Sequence, residues 1–135
     1  EGSLARGVET ILYVDDEKYL IDLGKELLEG LGYSVETRAS SIDAWEAFQV
    51  HPGKYDLVIT DMTMPQLSGM ELAMKILEIQ PDMPVILCTG FSTRLNADRL
   101  KDIGVKKVLM KPVTLMELSV AVREVLDEAK RGHAV

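Results

Sequence analysis

Asp15-Asp16, Asp61, Thr89 and Lys111 share one feature of placement: each ends, or directly follows, a short apolar run. Three carboxylates brought together repel one another unless a cation is present, and hard all-oxygen ligands of this kind suit Mg²⁺, which keeps several waters. A lysine adds a fixed positive charge and a threonine hydroxyl adds a hydrogen-bond donor, a pairing that matches the oxygens of a phosphoryl group. Its natural acceptor is a carboxylate. Taken alone, Asp15-Asp16 reads equally well as a solvated loop or a helix cap. The case rests on all of these residues meeting at one rim, and that depends on the elements that carry them.

The runs at residues 10–14 (TILYV), 57–60 (LVIT), 84–89 (PVILCT) and 108–110 (VLM) are short, near-continuously apolar and rich in β-branched residues, so they read as strands buried on both faces. Residues 34–39 (SVETRA) alternate polar with apolar and suit a strand near a sheet edge. Helical spacing links them. Leu20, Leu23, Leu27, Leu28 and Leu31 form one stripe, and residues 68–79 and the shorter, more polar 95–103 form two more segments. Ser40 with Asp43 and Thr114 with Glu117 mark two helix starts, the second opening a stripe of Leu115, Leu118, Val122, Val125 and Leu126. The strict βα alternation predicts a parallel sheet with helices on both faces and a ligand site beyond the carboxyl ends of its strands.

Composition narrows the function classes. The 135 residues correspond to one domain, and 22 acidic against 15 basic side chains give a net charge of −7, which disfavours nucleic-acid binding. No apolar run is long enough to cross a bilayer, and the single cysteine, Cys88, cannot form an internal disulfide, so a cytoplasmic location is expected. Cys88 reads as a core residue, and His51 and His133 as solvated. Gly30-Leu31-Gly32 follows a helix and is not a dinucleotide fingerprint, and no GxxxxGK[ST] occurs. Residues 1–7 are expected to be a linker or cloning remnant, 8–130 the folded domain and 131–135 a tail.

Asp15-Asp16-Glu17, Asp61-Met62-Thr63-Met64-Pro65 with Gly69, Thr89-Gly90 and Met110-Lys111-Pro112 together resemble the receiver domain of two-component response regulators. The resemblance covers about residues 9 to 130 and implies a flavodoxin-like (βα)5 fold with strand order 2-1-3-4-5. It further implies that Asp61 is the phosphoacceptor, taking a phosphoryl group from a phosphohistidine of a histidine kinase or of its phosphohistidine domain. Asp16, Asp61 and the backbone carbonyl of Thr63 would ligate Mg²⁺, with Asp15 acting through a metal-bound water. Lys111 would hold a phosphoryl oxygen and Thr89 would move toward the phosphate. Gly90 would leave the donor's approach open, Pro65 and Gly69 would shape the loop after Asp61, and Pro112 would follow a cis bond and aim Lys111.

The helix 4, strand 5 and helix 5 face would carry the output, including pairing with a second receiver as a homodimer. Lys101, Lys106, Lys107, Asp98, Asp102 and Glu117 give that face mixed charge. Two positions depart from the common pattern: Val108 replaces a frequent strand 5 aromatic, and Phe91 is bulky enough to shield an acyl phosphate, which predicts slow self-dephosphorylation. The segments around residues 7–12, 89–92 and 109–114, with the cut-looking amino end, are most similar to receivers at the carboxyl end of hybrid sensor histidine kinases. Two other readings stay open. An aspartate-nucleophile phosphatase uses similar groups, although Thr63 stands where such enzymes usually carry a second Asp. A degenerate receiver acting only as a protein-binding module is the other.

Overall fold

The computed structural model describes residues 6–90 and 94–133. Five strands, β1 (Thr10–Val14), β2 (Ser34–Arg38), β3 (Leu57–Asp61), β4 (Val85–Thr89) and β5 (Lys107–Met110), form one sheet. All pairings are parallel and the order is β2-β1-β3-β4-β5. Five helices alternate with them: α1 (Lys18–Gly30), α2 (Ser41–Val50), α3 (Gly69–Ile79), α4 (Arg94–Ile103) and α5 (Leu115–His133), with a single 3-10 turn at Pro52–Lys54. Among the described residues no helix is long and apolar enough to cross a membrane.

Side chains two apart along a strand share a face, and here the two faces bury separate clusters. Ile11, Tyr13, Ile59, Ile86 and Cys88 pack against α1 and α5, while Leu12, Val14, Val58, Val85 and Leu87 pack against α2, α3 and α4. The helix starts are held by side chains. Ser40 accepts from the Asp43 amide at 3.0 Å, and Thr114 and Glu117 exchange reciprocal bonds of 3.0 and 2.9 Å. Ser68 and Glu71 form a second reciprocal pair, a start signal not among those read from the sequence.

Three expectations change. Strand β5 is not buried on both faces: it is the sheet edge, its residues are half-buried and Met110 is exposed. Leu23 lies in the leucine stripe by spacing but projects outward, because α1 presents Ile21, Gly24 and Leu28 to the sheet. Leu115, taken as part of the α5 stripe, is that helix's first residue and is exposed. Spacing alone cannot fix where the centre of a buried arc falls.

At the amino ends of the strands, Glu9 is buried and pairs with Arg123 at 2.9 Å and Lys130 at 2.8 Å, and Arg123 also donates to the Tyr33 hydroxyl and the Arg6 carbonyl. Burial by itself would raise the Glu9 carboxyl, but the hydrogen bonds from Arg123 and Lys130 outweigh it and hold the group at about 2, below its ordinary 4.5. A lowered acid stabilises the fold above its unfolded value and loses that contribution as pH falls through the folded one. Glu9→Gln is therefore expected to lower the unfolding free energy by on the order of 2 kcal/mol at neutral pH and to flatten its decline between about pH 4.5 and 2. Urea unfolding across that pH range measures both.

Candidate functional site at the carboxyl ends of the strands

Asp15 follows β1 directly, Asp61 is the last residue of β3 and Lys111 follows β5. Alternation along the strands puts Asp15 and Asp61 on the same face as Tyr13, Ile59 and Cys88. Register brings them together, since Asp61 pairs with Cys88 across β3 and β4 and the Lys111 amide donates to the Thr89 carbonyl at 2.8 Å. Oxygens of Asp15, Asp16 and Asp61 all lie within 4.8 Å of one another. The Lys111 ammonium sits 2.8 Å from Asp61 Oδ1 and 3.4 Å from Asp15 Oδ2. Asp15 and Asp61 are buried, while Asp16 faces solvent.

The electrostatics follow from that crowding. Burial, and then the charge of Asp61, raise the Asp15 carboxyl above its ordinary value, despite hydrogen bonds from the Glu17 amide and Lys111. Burial would lower Lys111, but its hydrogen bond to Asp61 and the charges of both carboxylates leave it above its usual value, so it stays a cation. Cys88, beneath this group, is pushed up to about 12 by burial. Its thiol stays protonated and unreactive at neutral pH, in keeping with a core role.

The remaining expected residues fall around this centre. Thr89 is buried at the end of β4 and by alternation projects to the face of Leu87, opposite to Asp61. Thr63 and Pro65 are exposed in the loop after Asp61. The Lys111–Pro112 peptide is cis, as expected. A Cβ at Gly90 would meet nothing within 4 Å, so a side chain there would project into open space beside the rim.

Gly69 has a different reason from the turn the sequence suggested. It is the buried first residue of α3, its amide donates to the Met62 carbonyl at 2.8 Å, and a Cβ there would lie 2.1 Å from the Asp61 carbonyl oxygen. The absent side chain lets the helix start against the end of β3. Phe91 lies outside the described residues, as does any bearing it has on the phosphate lifetime. The Glu9 cluster and Tyr13 are polar features that the sequence reading did not single out. Glu9 and Arg123 are 114 residues apart, and no local signal joins them.

Three buried or rim carboxylates opposed by a lysine, at the carboxyl ends of parallel strands in the order 2-1-3-4-5, match one known arrangement. The response regulator receiver domain family matches residues 11–123. The chain belongs to this family. It is 33% identical over 125 residues to the response regulator receiver protein CpdR of Brucella abortus, covering 90% of this chain and 100% of that protein. It is 30% identical over 122 residues to the sensor kinase CckA of the same organism, covering 90% of this chain but 13% of that much longer protein. Among solved structures, a receiver domain from Clostridium thermocellum superimposes with a TM-score of 0.85 at 38% identity, covering 91% of this chain and 98% of that one.

The hard carboxylate donors of the receiver's rim fit a small divalent cation, and the Lys111 ammonium competes for the same oxygens. Asp15→Asn is expected to weaken Mg²⁺ binding by about tenfold or more, whereas Lys111→Met strengthens it; calorimetric titration at neutral pH distinguishes the two. Gly69→Ala is expected to destabilise the receiver by about 1–3 kcal/mol in urea unfolding, because the Asp61 carbonyl cannot retreat without moving β3.

Proposed function

We propose that Asp61 is the phosphoacceptor of a two-component phosphorelay, accepting from a phosphohistidine on a histidine kinase or its phosphotransfer domain. The observation that carries this reading is the Lys111 ammonium, 2.8 Å from Asp61 Oδ1, inside a cluster of carboxylate oxygens within 4.8 Å. In the transfer, an Asp61 carboxylate oxygen attacks phosphorus, the P–N bond breaks, and the imidazole nitrogen keeps the electron pair and takes up a proton. Phosphoryl transfer demands positioning and charge neutralisation more than covalent help.

Asp16, Asp61 and the Thr63 carbonyl would hold Mg²⁺, with Asp15 acting through a water, and the ion would neutralise charge on the transferring oxygens. Lys111 leaves its contact with Asp61 to hold a phosphoryl oxygen, while Asp15 remains beside its ammonium. Thr89, buried one strand away, turns toward the new phosphate and carries the change to β4 and β5. The output surface is α4, β5 and α5, where Met110, Met116 and Val120 are exposed beside Lys101, Lys106 and Glu124. A second receiver is one partner such a surface fits. Val108 is half-buried on β5, so any coupling there proceeds without an aromatic side chain.

The chain spans 13% and 24% of the first curated relatives it matches, CckA and the regulator NtrC of Azospirillum brasilense, yet all of CpdR. A hybrid sensor kinase as the parent protein has CckA in its favour, while CpdR and NtrC favour a freestanding receiver and a DNA-binding regulator. Our proposal concerns the receiver, with a cytoplasmic location as part of it.

Intact mass spectrometry after incubation with Mg²⁺ and a small acyl phosphate tests the reading. One added phosphoryl group is expected, absent in Asp61→Asn and without Mg²⁺. An unmodified mass, with no free phosphate released and the fold intact by circular dichroism, would sink it.

A further inference from the structure

The loop between β3 and α3, residues 62–68, contains a turn that its own residues do not favour. The Leu67 amide donates to the Pro65 carbonyl at 2.8 Å, two residues back, and Gln66 between them has a φ of 72°. This is a γ-turn of the rarer hand, a strained conformation for a residue with a Cβ. Such strain persists only where the surrounding structure holds it in place. Gln66 is exposed, so its own side chain supplies little of that hold.

Ser41 supplies it from another element. It is the first residue of α2, its side chain is fully buried, and its hydroxyl donates to the Leu67 carbonyl at 2.6 Å across 26 positions of sequence. The helix behind it is itself fixed: Ser40 caps its start, and Ala44 and Phe48 are buried with Leu72 and Ile76 of α3. At its other end the loop is closed by the Gly69 amide donating to the Met62 carbonyl at 2.8 Å, and Met64 is buried in the same core. Thr63 lies between these holds. A backbone carbonyl has no side-chain torsion to adjust, because the peptide unit is planar, so its direction is set by the dihedrals of the loop around it.

We propose that Ser41 is a positioning residue for the Mg²⁺ ligands: through the Leu67 carbonyl it holds the loop in its strained turn and so fixes the direction of the Thr63 carbonyl. The inference rests on the reading of that carbonyl as a metal ligand. Adjacent serines then have separate tasks, Ser40 ending its own helix and Ser41 tying that helix to the loop after Asp61. Without the hydroxyl, the half-buried Leu67 carbonyl loses its partner and the turn at Gln66 is free to relax, which rotates the peptide units on either side. Satisfying a carbonyl would be reason enough for a serine at this position. That role alone, however, would leave the affinity for a metal indifferent to Ser41, and this difference separates the two.

Titration of the isotopically labelled full chain with Mg²⁺, followed by the amide signals of residues 16 and 61–63, tests the proposal. Ser41→Ala is expected to weaken Mg²⁺ binding about tenfold. Ser40→Ala, which removes the α2 cap at a comparable cost in stability, should leave the affinity within about twofold. Glycine adopts a positive φ without strain, so in a Gln66→Gly background the same Ser41→Ala change should cost about threefold or less. Equal affinity in Ser41→Ala and the unaltered chain, an equal loss in Ser40→Ala, an equal cost in both backgrounds, or loss of the fold in Ser41→Ala would overturn the proposal. An unaltered chain that binds no Mg²⁺ would remove the metal reading itself, and the role of Ser41 with it.

Discussion

The structure turns on a repulsion that it holds in check. Carboxylate oxygens of Asp15, Asp16 and Asp61 lie within 4.8 Å of one another, two of the three side chains buried, where like charges interact far more strongly than in water. The Lys111 ammonium offsets part of this by approaching Asp61 and Asp15 together. What remains unbalanced is the site's affinity for further positive charge. The parallel sheet makes the arrangement attainable: strands pointing the same way deliver their last residues to one rim, and the central strands β1 and β3 supply the carboxylates. Gly69 adds a steric condition, because α3 must begin almost in contact with the Asp61 carbonyl.

The two faces of the sheet divide the work. Asp15, Asp61, Tyr13 and Cys88 share the side covered by α1 and α5, whereas Thr89 follows Leu87 to the other side. In the function proposed above, a hydroxyl that reports on Asp61 from the opposite face moves to do so, and its motion is felt at β4 and the β5 edge. That edge is half-buried and its Met110 is exposed, so a displacement there alters surface instead of disrupting core. Helix α5 joins both ends of the molecule. Its 19 residues, about 28 Å long, begin four positions after Lys111 and carry Arg123 and Lys130 to the buried Glu9.

Much of this was legible in the residues themselves. Continuous apolar runs bounded by polar ones predicted the strands, reciprocal Thr114 and Glu117 predicted the start of α5, and polar residues at the ends of four of the strands predicted the rim. These signals are local, acting over one turn or one strand, so the chain states them before it folds. The misreadings share a cause as well. Leu23 and Leu115 obey helical spacing yet face outward, and β5 is apolar yet lies at an edge, because exposure depends on which neighbour arrives.

By itself the sequence determined the order of elements, the parallel sheet and the set of groups at the strand ends, since each is encoded within a few residues. Only the tertiary structure decided how close the carboxylates come, that Lys111 touches Asp61, and that Gly69 and Gly24 are demanded by the Asp61 carbonyl and the Tyr13 ring. It also decided that Glu9 meets Arg123 across 114 positions. These are distances between residues remote in the chain, set by the packing of helices on a twisted sheet, and no local pattern of side chains encodes them.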